Sequence, residues 1–137
     1  MKALYSLIIA LAIVGCQKSE HAHHDEGNAT ESDSTNTILY NQVMDIHDEV
    51  MPVMEDLYNL KKDLQAKGAT ASADEKKRIE LKIAEIDSAS MLMEDWMHEF
   101  NPPADTTDKE QIRAYLEGEM EKIKRVKEAM LSAVKPE

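Results

Sequence analysis

The stretch TILYNQVMDIHDEVMPVMEDLYNLKKDLQAK, residues 37–67, decides the fold. Within it Leu39, Val43, Ile46, Val50, Val53, Leu57, Leu60 and Leu64 follow one another at alternating intervals of four and three. At 3.6 residues per turn this alternation stacks every apolar side chain on one side of a helix, as a coiled-coil-like stripe that must be buried against something. A helix over 37–67 is predicted. Gly68 follows Lys67 where a left-handed C-terminal cap belongs, and Ser72 with Glu75 makes the S-x-x-E box that starts a second helix. So short a connection turns the second helix back along the first.

The second helix is expected to bury Ile79, Ile83, Ile86, Met93, Met97 and Phe100, and to stop at Asn101-Pro102-Pro103, where two donors are missing and the backbone is forced to extend. Thr107 and Glu110 form another capping box. A third stripe, Ile112, Leu116, Met120, Ile123, Val126 and Met130, runs out before Pro136. Three amphipathic helices with short connections bury their stripes together. The expected fold is all-α, an antiparallel up-down-up three-helix bundle over 36–135; the alternative is a helical hairpin that dimerises. Pro52 lies inside the first helix, where its lost N–H and its ring predict a bend.

Upstream of the bundle the chain changes character twice. Lys2 gives a positive start, residues 3–14 are almost all apolar, and Ile13-Val14-Gly15-Cys16 closes the run with the only cysteine. The run is shorter than the roughly 20 residues of a membrane span. It resembles a bacterial lipoprotein signal. That resemblance implies that residues 1–15 are removed and that Cys16 becomes a lipidated N-terminus carrying acyl chains such as palmitate, which hold the protein at a membrane. Residues 16–35 are polar and acidic with almost nothing to bury, and read as a disordered tether. His21, His23 and His24 beside Asp25 and Glu26 could hold zinc or copper loosely, although a solvated linker is the better account of them.

The whole chain carries 27 acidic against 16 basic side chains, a net charge of −11. Such a surface repels phosphate backbones and anionic headgroups, which excludes nucleic acid as a partner and leaves lipid as the only membrane attachment. With its one thiol acylated, the chain has no disulfide and no thiolate metal site. No nucleophile with a base, phosphate loop or calcium-loop spacing appears, and His98-Glu99 lacks the second histidine of H-E-x-x-H because Pro102 stands there. A slim bundle also leaves little room for a small-molecule substrate. The chain therefore does not read as an enzyme.

Methionines gather in two places, Met44, Met51 and Met54 on the first helix and Met91, Met93 and Met97 on the second. A hairpin turning near 68–71 brings Met44 and His47 level with residues 91–97 and His98 close to residues 40–44. Thioether and imidazole ligands suit soft ions, so Met44, His47, Met51, Met93, Met97 and His98 form a candidate copper or silver layer. The same residues fill a core with no metal, because methionine packs well against aromatic rings. Around the Pro52 bend, His47, Pro52, Met54 and Trp96 form a candidate recognition surface.

The stretch MDIHDEVMPVM at 44–54 together with DWMHEF at 95–100 resembles small uncharacterised helical lipoproteins of Bacteroidota-type envelopes. The resemblance implies an outer-membrane location, on its periplasmic face or at the cell surface, and a helical fold, with no site attached. The expected function is a non-enzymatic, lipid-anchored interaction or scaffold module whose partner is another envelope protein or a second copy of itself; the alternative is a soft-metal binder using the Met/His layer.

Overall fold

The computed structural model describes residues 26–135 and contains three helices, α1 (Glu26–Gly68), α2 (Ala73–Glu99) and α3 (Lys109–Ala133). Each packs on the other two, so the all-α three-helix bundle is the architecture. Side-chain pairs give the directions. Tyr40 meets Phe100, His47 meets Trp96 and Lys61 meets Asp87, so α2 descends as α1 rises. Asn36 meets Lys109 and Glu49 meets Lys127, so α3 runs parallel to α1. The lipobox, Cys16 and the His21, His23, His24 group lie outside the described residues.

Val43, Val50 and Leu57, each seven residues from the next, are buried, and the alternate members of the stripe, Ile46, Val53 and Leu60, pack around them at its edges. Pro52 falls on the exposed side of α1, which continues through it, and what it removes is the bond to the carbonyl of Asp48, itself an exposed residue. From α2 the seam receives Ile79, Lys82, Ile86, Ala89, Met93 and Trp96, and from α3 Ile112, Leu116, Glu119, Ile123, Val126, Met130 and Ala133.

Four local expectations are corrected. α1 starts at Glu26, within the segment read as tether, and two contacts with α3 hold this part of it. Asn36 stands seven residues before Val43 in the same stripe, is buried, and donates from Nδ2 to the Lys109 carbonyl at 3.0 Å. Lys109 Nζ reaches Asp33 at 2.6 Å. Gly68 belongs to the last turn of α1 without a left-handed φ, and the chain leaves through i→i+3 bonds from Ala69 to Ala66 and from Thr70 to Lys67. The N-cap of α3 is Asp108 rather than Thr107, its carboxylate accepting from Glu110 N at 3.0 Å and Gln111 N at 3.3 Å. Finally, Trp96 rather than Met97, and Glu119 rather than Met120, occupy the seam. Ser72 caps α2 as the sequence indicates, accepting from Glu75 N.

Candidate functional site

The end of the bundle near the α2–α3 connection is an aromatic ladder. Trp96 stacks on Phe100 with centroids 4.8 Å apart, Phe100 stands 6.1 Å from Tyr40 and 6.2 Å from Tyr115, and the His47 ring lies 5.7 Å from Trp96. Such pairs hold all three helices in one geometry at this end, with Phe100, the C-cap of α2, at the centre. Tyr115 Oη accepts from Asn101 N at 2.7 Å and pins the proline-rich connection. Burial pushes the Tyr115 phenol above its ordinary 10.0. Beside the ladder a cleft of about 560 Å³ opens between Asn36, Tyr40, Pro102, Pro103 and Lys109, among others.

The hairpin register brings His47 to Trp96, as the spacing of the two methionine clusters indicates. It does not bring the six residues of the proposed metal layer to one exposed place. Met93 is fully buried in the core, Met44, His47 and Met51 are half-buried, and Met97 and His98 are exposed on α2. His47 Nδ1 is 2.8 Å from Asp48 Oδ1 and its ring is packed on the indole. Among the described residues no group of three or more His, Cys, Asp and Glu side chains is placed to hold an ion. In the proposed recognition surface Pro52 is exposed and Met54 half-buried, but Trp96 is only 5% exposed and belongs to the interior.

Two charged residues sit where the stripes predict apolar ones. Glu119 is 3% exposed; its Oε1 reaches Lys122 Nζ at 2.9 Å, and its Oε2 has no hydrogen-bond partner among the described residues. The carboxylate holds the Lys122 ammonium above its usual 10.5, chiefly through that hydrogen bond. Trp96 Nε1 is likewise buried without a partner among the described residues. Asn101 on Tyr115 and Glu85 on Ser132 set the α2–α3 register and place Trp96 and Glu119 at one level of the core. Lys82, also buried, is neutralised by Glu85 at 2.9 Å.

The outer side of α2 was not singled out by the sequence reading. Leu81 is 63% exposed, Met91 59% and Leu92 45%, with Ala84 and Ser88 exposed between them. No other described helix carries such a row. Ile38, Tyr40 and Tyr58 are scattered along α1, and α3 exposes Leu131 alone among large apolar residues. The signal was present in the spacing. Lys77, Leu81, Ala84, Ser88, Met91 and Asp95 again alternate by four and three, so α2 carries a second seam opposite the one that faces the core. No described helix is long and apolar enough to cross a membrane, so this face does not belong to a span.

Comparison of the chain with protein-family models, with curated proteins and with solved structures finds no match.

Proposed function

We propose that this chain is an exported, lipid-anchored helical module without enzymatic activity, which holds a protein partner in the cell envelope through the outer face of α2. The observation that carries the reading is that uncovered face. A helix polar on its outside needs no partner, whereas Leu81, Met91 and Leu92 stand in water on the side of α2 that turns away from the core. The lipobox supports the location. Acylation of Cys16 would tie an acidic bundle to a bilayer whose headgroups its own charge repels, and an outer-membrane lipoprotein of the Bacteroidota-type group fits both features. Residues between Cys16 and Glu26 would give the bundle reach from the surface.

The test is crosslinking of the native, lipidated protein in its own envelope beside a Cys16→Ala variant. Wild-type protein should incorporate labelled palmitate, fractionate with membranes and yield a crosslinked adduct, and the variant should lose the label and the membrane. Recovery of uncrosslinked protein alone, or palmitate incorporation independent of Cys16, would overturn the reading.

A further inference from the structure

We propose that the partner of the α2 outer face is a second copy of this chain, bound with the two α2 helices antiparallel. The proposal rests on the reading above and names its partner. It starts from the second seam, Lys77, Leu81, Ala84, Ser88, Met91 and Asp95, all of them exposed. The seam has large residues towards its ends and small ones at its middle. A shallow groove of about 430 Å³ runs along it, lined by Ala84, Asp87, Ser88, Met91, Leu92 and Asp95. Two such helices approach closely where Ala84 and Ser88 cross, and the larger side chains above and below fill the space on either side.

Charge selects the direction. In a parallel pair Lys77 faces Lys77 and Asp95 faces Asp95, two like-charge contacts at the ends of the apolar row. In an antiparallel pair centred on the level of Ile86, Lys77 faces Asp95 of the other copy, Leu81 faces Met91 and Ala84 faces Ser88. The seam layers are then opposite in charge at the two ends, large apolar on large apolar at Leu81 and Met91, and small on small where Ala84 meets Ser88, and each contact occurs twice by the two-fold symmetry. The carboxylates flanking the centre already have partners inside their own bundle, Asp87 on Lys61 at 2.5 Å and Glu85 on Lys82 at 2.9 Å, so they add little repulsion across the axis. In such a pair the two α1 helices enter from opposite ends.

The experiment uses the full chain in its native envelope, two differently tagged copies being expressed together and disulfide-linked dimers read by size. Leu81→Cys in one copy and Met91→Cys in the other should give a mixed covalent dimer, with little product from either variant alone and none from wild type. Lys77→Glu should lower the yield about tenfold by placing like charges opposite each other, and adding Asp95→Lys to the same chain should restore it. Dimers of Leu81→Cys with itself, or insensitivity to the charge exchange, would overturn the antiparallel pair. If no dimer forms while an adduct to another envelope protein persists at Met91, the second copy is wrong and the interaction module stands. If neither product forms, both fall.

Discussion

Replacing Glu119 by leucine should make this protein more stable. The residue is 3% exposed in the α3 seam between Leu116 and Ile123, with one oxygen on Lys122 and the other unpartnered among the described residues. Leaving a buried acceptor unmade costs roughly 1–3 kcal/mol. A leucine there removes that cost and contributes about 1.5–3 kcal/mol of apolar burial. Against this stands the lost ion pair, worth about 0–1 kcal/mol because Lys122 is 46% exposed and regains water when freed. Some misfit of the branched side chain takes back about 1 kcal/mol. The expected net gain is about 0.5–5 kcal/mol, centred near 3, or an upward Tm shift of roughly 10–15 °C at the centre of that range for a domain of this size. Urea unfolding followed by far-ultraviolet circular dichroism measures it, as a raised midpoint at constant slope. Since Glu119 lies on α3, the α2 outer face and any product formed there should be unaffected. A loss of more than about 1 kcal/mol would refute the reasoning, because it would mean that the carboxylate holds a buried donor.

Met93→Ala should cost about 2–4 kcal/mol by opening a cavity in a fully buried position, whereas Met91→Ala, outside the core of the bundle, should stay within about 0.5 kcal/mol for the monomeric bundle at high dilution; urea titration of the two variants separates them. Asp108→Ala should remove about 1 kcal/mol by leaving two N–H groups at the start of α3 without their acceptor, seen as a lowered Tm. The Tyr115 phenol is raised above 10.0 in the fold, so the unfolded chain ionises first as pH rises: this contribution is complete below pH 10.0 and is lost as pH climbs through the folded value. Absorbance titration should show one tyrosine ionising late, and Tyr115→Phe should flatten the alkaline fall in stability.

The bundle was legible because α1 writes its stripe without a miss, and because Ser72 and the paired prolines mark where the chain must turn. What the sequence concealed has three physical causes. Residues 26–35 carry no apolar pattern, and their helix is held by contacts of Asp33 and Asn36 with Lys109, which lies 73 residues from Asn36 in the chain. On α2 two heptads are superposed, so the reading that followed Ile79, Ile86 and Met93 took Met97 as inward and passed over Trp96 and Ala89. On α3 a reading that admits only apolar residues to a seam must choose Met120 over Glu119. The candidate sites fared accordingly. The hairpin placed His47 against Trp96 as expected, but rotation about each helix, which spacing alone defines loosely, put Met93 inside and His98 outside. The outer seam of α2 was written in the same four-three code as α1, and was obscured because two of its positions hold only alanine and serine.

The claim that the outer face of α2 is the working surface is tested most directly by site-specific photocrosslinking of the full chain in its native envelope. A photoreactive residue placed in turn at Leu81 and Met91, and at the exposed control positions Lys62 on α1 and Glu128 on α3, reads out which face is covered. The account predicts adducts from Leu81 and Met91 and none from the controls. Adducts from Lys62 or Glu128 with nothing from α2 would contradict it.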